Sequence, residues 1–315
     1  MSGIPRWRAS AAGLLAGWVL LGCGGGSSDS PPVAPPPSAL PQEPGAPVML
    51  NNIPVDGLNW INYRRTQAGM PVVARNAQID VAAQGHSEYQ KANNIVSHDQ
   101  VVGKSGFTGV RLIDRLNGAG YTITSATFAY GEVISAASSN SGFFMAEELI
   151  TAIFHRFVIF EPKFKEIGTG SATASNGYTY FTSDFASRNG YGPGIGGGML
   201  VTWPFSGQTK VAPNFFSDHE SPDPVPNANE VGYPVSVHVD IDVALGVQSF
   251  TIRPRDGADL TVQLLKNSAG NSTPPRSAAA IVPLAVLKAN TIYDVSFVGT
   301  TDGTPVTRTW SFTTK

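Results

Sequence analysis

The side chains best suited to proton transfer, metal ligation or covalent chemistry are scarce: five histidines and one cysteine in 315 residues. The histidines are His86, His98, His155, His219 and His238. Imidazole titrates near neutral pH and is the commonest metal ligand, so these positions bound the available chemistry. A single cysteine excludes an intrachain disulfide and any cysteine-based zinc cluster. His86 shares an apolar helical face with Ile79, Ala82 and Ala83, which suits a hydrogen-bonded core residue better than a ligand. His219 and His238 fall in a loop and a strand, with no paired carboxylate motif. No G-x-S-x-G, P-loop lysine or H-E-x-x-H occurs, so the common hydrolase, nucleotide and zincin readings lack their key residues. Gly192, Gly194 and Gly197 satisfy a loose G-x-G-x-x-G, but no helix follows and the stretch reads as a linker.

The elements that must position these side chains divide the chain. With 42% hydrophobic residues it can build real cores. The net charge of −2 supplies no field for a phosphate backbone, which excludes a nucleic-acid partner. Leu58, Ile61 and the Arg64-Arg65 pair suit a first helix stopping at Gly69, and Asn76 caps a second that runs to about Asn93. A third helix is expected from near Gly106, carrying Val110, Ile113, Asp114 and Leu116. A long fourth is expected over 142–160, with Phe143, Ile150, Phe154 and Phe157 on one face. Strand-like pieces at 127–134 and 178–183 complete an α/β, three-layer α-β-α sandwich over 51–188. Beyond the glycine-rich 189–198 the helical period disappears. Strands at 235–239, 247–253, 260–265, 281–284, 292–298 and 306–313, punctuated by turn signals, predict an all-β sandwich over 199–315. Tyr293 is placed to form a tyrosine corner, its ring buried and its hydroxyl on backbone.

The N-terminus carries an address. Arg6 and Arg8 precede an apolar run from Ala11 to Leu21, too short for a permanent membrane span. Leu20-Leu21-Gly22-Cys23 resembles the lipobox of bacterial lipoproteins, which implies a signal peptide over 1–22 and lipidation of Cys23. Gly24, rather than Asp, then suggests the outer membrane. Residues 23–50, rich in Gly, Ser and Pro, read as an extended tether.

Residues 51–188 resemble the CAP superfamily of cysteine-rich secretory, antigen 5 and pathogenesis-related proteins. The resemblance rests on LNWINYRRTQAGMPVV, Ser97-His98, RLIDRLNGAGY, FAYGEVI and FHRFVIFEPKFKEIGTG, in that order. It implies a cleft shared by two histidines and two glutamates: His98, Glu132, His155 and a second glutamate. On a continuous fourth helix Glu148 lies two turns before His155, which favours it over Glu147. Such a set suits zinc or another divalent ion, held by His98 and His155 with Glu132 or Glu148. It equally suits a buried polar network. Two departures stand out. Val133 replaces the family's Asn, and Ala152-Ile153-Phe154 continues the helix where a Ser-Pro-Gly is common. LKANTIYDVSFVGT and TWSFTT look like the closing strands of bacterial immunoglobulin-like domains.

Together these features predict an envelope-anchored module that binds an extracellular protein, glycan or lipid. Two alternatives are a metal-dependent hydrolase using the His/Glu cleft and an adhesin whose β-sandwich meets the partner.

Overall fold

A computed structural model describes residues 43–269, 271 and 273–315. The expected signal peptide, Cys23 and the expected tether up to residue 42 lie outside the described residues. What is described of the tether is docked. The Glu43 carboxylate pairs with Arg64 at 2.6 Å, and the Tyr63 hydroxyl donates to the Pro44 carbonyl.

Helix α1 (Ile53–Gln67) is capped by Asn52, and α2 (Ala77–Asn93) by Asn76, whose side chain accepts from the Gln78 and Ile79 amides. Helix α3 (Leu112–Gly118) starts later than the sequence suggests. Gly106 and Gly109 adopt positive φ and keep the preceding stretch in a loop. The expected fourth helix is two helices, α4 (Gly142–Thr151) and α5 (Ile153–Ile159), which break at an extended Ala152 with ψ 121°.

Strands β1 (Ala74–Arg75), β2 (Ala129–Ala137), β3 (Glu166–Thr173) and β4 (Thr179–Ser187) form one sheet in the order β1-β3-β4-β2. Side chains alternate across it. Glu132 and Thr182 face α2 and α3, where Glu132 meets Arg115 and Thr182 meets Ser87 and Gln90. Ser135 and Val133 face the opposite layer of α1, α4 and α5, where Ser135 meets Met145 and Glu148. The result is the expected three-layer arrangement.

The C-terminal region holds a sheet of β5 (Val201–Trp203), β8 (Val235–His238), β10 (Val262–Lys266) and β11 (Ala278–Pro283), in the order β10-β11-β8-β5. A second sheet contains β9 (Leu245–Pro254), β12 (Ile292–Thr301) and β13 (Thr304–Thr313), and a hairpin joins β6 (Asn214–Phe216) to β7 (Glu230–Gly232). All these pairings are antiparallel. Tyr293 is buried, and its hydroxyl accepts the Lys288 amide at 2.7 Å.

The two regions share a core, an outcome the expected linker over 189–198 does not suggest. Every residue of β11 is buried. Ala279 and Ile281 pack with Phe250, Ile252, Val295 and Phe297 inside the β region. Ala278, Ala280 and Val282 pack on Ile153, Phe154 and Phe157 of α5. The linker itself is pinned by the Ile195 and Gly196 amides, which donate to Asp240 at 2.8 and 3.0 Å. Gly194 is required there, because its φ of +65° is left-handed and a Cβ would collide with the Asp240 carboxylate.

Candidate functional site

On the α2–α3 side of the sheet, His98 and Glu132 meet. His98 Nδ1 donates to Glu132 Oε1 at 2.9 Å, and Arg115 Nη2 donates to Oε2 at 2.5 Å. Arg115 also holds the His98 carbonyl at 2.9 Å, fixing the loop that carries the imidazole. All three are at least nine-tenths buried. Burial alone would raise the Glu132 carboxyl, but the Arg115 charge and the His98 hydrogen bond pull it well below the usual carboxylate range. Glu132 is therefore a buried anion matched by a buried guanidinium.

His86 stands beside this pair, its Nε2 3.9 Å from Glu132. Nε2 faces the Ser97 carbonyl at 2.8 Å and must donate, while Nδ1 faces the Gln100 amide nitrogen at 2.9 Å and must accept. Those partners define a neutral imidazole, and burial pushes its pKa down to about 4. Asp184, the cross-strand partner of Glu132, is fully buried. Burial and then the Glu132 charge push it well above the ordinary value, so it is protonated beside an ionised neighbour.

His155 and Glu148 lie on the other side of the sheet. His155 Nδ1 donates to Glu220 Oε1 at 2.9 Å, and Glu220 belongs to the loop between β6 and β7. The same carboxylate accepts the Ile153, Phe154 and His155 amides at 2.9, 2.6 and 3.0 Å, closing the N-terminus of α5. Arg156 closes the end of α4, donating to the Ile150 and Thr151 carbonyls at 2.5 and 3.1 Å and to Pro234 O at 2.7 Å. The sequence favours an acid as the partner of Arg156; the structure gives it carbonyls. A distant carboxylate and the nearby Arg156 guanidinium thus replace the backbone bonds lost on either side of Ala152. Among the described residues Glu148 accepts from the Ser135 hydroxyl alone, at 3.2 Å. Glu147 accepts from Trp60 Nε1 at 2.6 Å and Arg64 Nε at 2.8 Å.

The expected convergence of His98, Glu132, Glu148 and His155 is therefore corrected. The sheet separates the first pair from the second, and the helix break removes the register that joined Glu148 to His155. Among the described residues no three His, Cys, Asp or Glu side chains are grouped to hold a metal ion. His98 and His155 do not fit as shared ligands, since they belong to layers on opposite sides of the sheet. What the first pair can do is orient an imidazole: with Nδ1 donating to Glu132, His98 Nε2 is left as the basic nitrogen. Arg115, Asp184 and Glu220 are absent from the sequence-based site. A lone carboxylate inside the buried strand TSDFA signals Asp184; nothing local signals Glu220.

Residues 58–185 match the family model described as CAP, cysteine-rich secretory protein family, and this part of the chain is a CAP domain. An extracellular protein containing an SCP domain, from Bacillus anthracis, is similar at 24% identity and a TM-score of 0.36, over 44% of this chain and 41% of that one. The chain thus spans less than half of that protein. An outer surface protein from Borrelia burgdorferi is similar at 10% identity and a TM-score of 0.35, over 42% of this chain and 90% of that one. No curated protein matches the sequence.

Proposed function

We propose that this chain is a lipid-anchored binding module of the bacterial cell envelope, in which the CAP domain and an immunoglobulin-like β region act as one body. One observation carries the reading: of the side chains expected in a catalytic cleft, His98, Glu132 and His155 are each paired with a charged internal partner. Glu132 is held by Arg115 and His98, and Glu220 by His155 and three amides. Such carboxylates hold loops, helices and regions together; they are not free to ligate an ion or activate water. The lipobox-like LLGC and the proline-rich segment support the anchor. An extracellular protein, glycan or lipid remains the class of partner, met by a surface that projects from the membrane.

Calorimetric titration of the purified chain with zinc tests the non-catalytic part. No saturable site tighter than about 0.1 mM is expected; a tight site abolished by His98→Ala would overturn it. For the anchor, Cys23→Ala should move the protein from the membrane fraction to the soluble one, and retention in the membrane would refute lipidation.

A further inference from the structure

A small cavity opens where the two regions meet. Tyr130, Phe157 and Phe164 of the CAP domain line it, with Ile241 and Ser277 of the β region and the carboxyl of Glu161. Glu161 is 7% exposed. Its Oε1 accepts the Lys163 and Ile241 amides, both at 3.0 Å, while Oε2 has only the Ser277 hydroxyl at 3.4 Å. One carboxyl oxygen therefore keeps spare acceptor capacity against an aromatic wall.

We propose that this cavity is a binding site for a small alkylammonium cation, its charge on Glu161 Oε2 and its methyl groups against Tyr130, Phe157 and Phe164. Aromatic walls attract cations through the ring quadrupole, most strongly where water is excluded. A carboxylate beneath them supplies the counter-charge and the acceptor. The buried Arg65 guanidinium lowers the Glu161 carboxyl through its charge but gives that carboxylate no hydrogen bond. Arg65 Nη1 is committed to the Ile159 and Glu161 carbonyls, and Lys163 Nζ to Asp242 at 2.7 Å. Asp240 and Tyr191 are the remaining titratable groups close enough to couple with Glu161. Without a cation, burial holds the carboxyl up at about 8. A bound ammonium would favour the ionised form, so binding and deprotonation are linked. This site is independent of the anchor and of the His98 network.

Ethylammonium titrated into the ¹⁵N-labelled full-length chain, with propan-1-ol as the uncharged control of matching size, tests the proposal. Near pH 9, saturable shifts at cavity-lining amides with a Kd on the order of 1 mM are expected, the strength open to a ligand of three heavy atoms. Affinity should fall about tenfold for each unit of pH below about 8. Glu161→Gln, which keeps the shape, should weaken binding at least about tenfold while leaving spectral dispersion intact. The proposal is overturned by the absence of saturation at about 50 mM, by equal binding of propan-1-ol, or by pH-independent affinity in the wild type. The last of these needs no variant to fold.

Discussion

Two histidine–glutamate pairs sit on opposite sides of one sheet, each with a 2.9 Å contact, and they work differently. The His98–Glu132 pair is internal to the CAP domain and answers a buried guanidinium. The His155–Glu220 pair crosses between regions and answers the end of a helix. In the first, charge neutralises charge. In the second, a carboxylate satisfies backbone amides that local sequence leaves open. The same two residue types therefore form a domain's internal network in one place and a joint between regions in the other.

The comparison breaks most sharply at Glu132. Glu132→Ala strands the buried Arg115 charge and should cost about 4 kcal/mol in chemical denaturation. Its transition should stay single, because the joint is untouched. Next, Glu220→Ala uncaps α5 and orphans three amides, for a loss of about 3 kcal/mol. Here fluorescence and far-ultraviolet dichroism should separate into two transitions if the joint couples the regions, whereas coincident curves would refute that role.

A third test uses pH. Burial raises the folded-state pKa of Glu161 from 4.5 to about 8. Its contribution to stability is therefore fully present below about pH 4.5 and is lost as pH rises through about 8. Glu161→Gln should gain about 2 kcal/mol over the wild type at pH 9 and little at pH 4, a discounted fraction of the full linkage. A parallel pH profile for the two proteins would exclude Glu161 as the source. The smallest effect belongs to Tyr293→Phe, remote from both pairs, which should cost about 1 kcal/mol for one hydrogen bond. A loss as large as that of Glu220→Ala would mean that the tyrosine supports the joint as well.

Much of this fold is legible in the sequence, because the relevant forces are local. Asn76 caps α2 through its own side chain, and the C-terminal strands announce themselves by alternation and turns. What escapes is whatever depends on distant partners. Strand β3 reads EIGTGSAT, which looks like a turn. Gly168 and Gly170 are glycines because α2 crosses there so closely that a Cβ would strike its backbone at Ile79, Asp80 and Gln84. The break at Ala152 has no proline or glycine to mark it, and the carboxylate that closes the start of α5, Glu220, arrives through tertiary structure. At the site, His98 beside Glu132 follows the order of the motifs, whereas joining Glu148 to His155 required a continuous helix that does not exist.

The alanines of β11 have a consequence for motion. A strand covered on one side by its own sandwich and on the other by α5 cannot open toward either neighbour without exposing core. Backbone amides of Ala278–Pro283 should exchange with deuterated solvent only through global unfolding, and more slowly than those of a strand with one open side. This seam, which looks like a boundary in the amino-acid order, is then where the polypeptide breathes least.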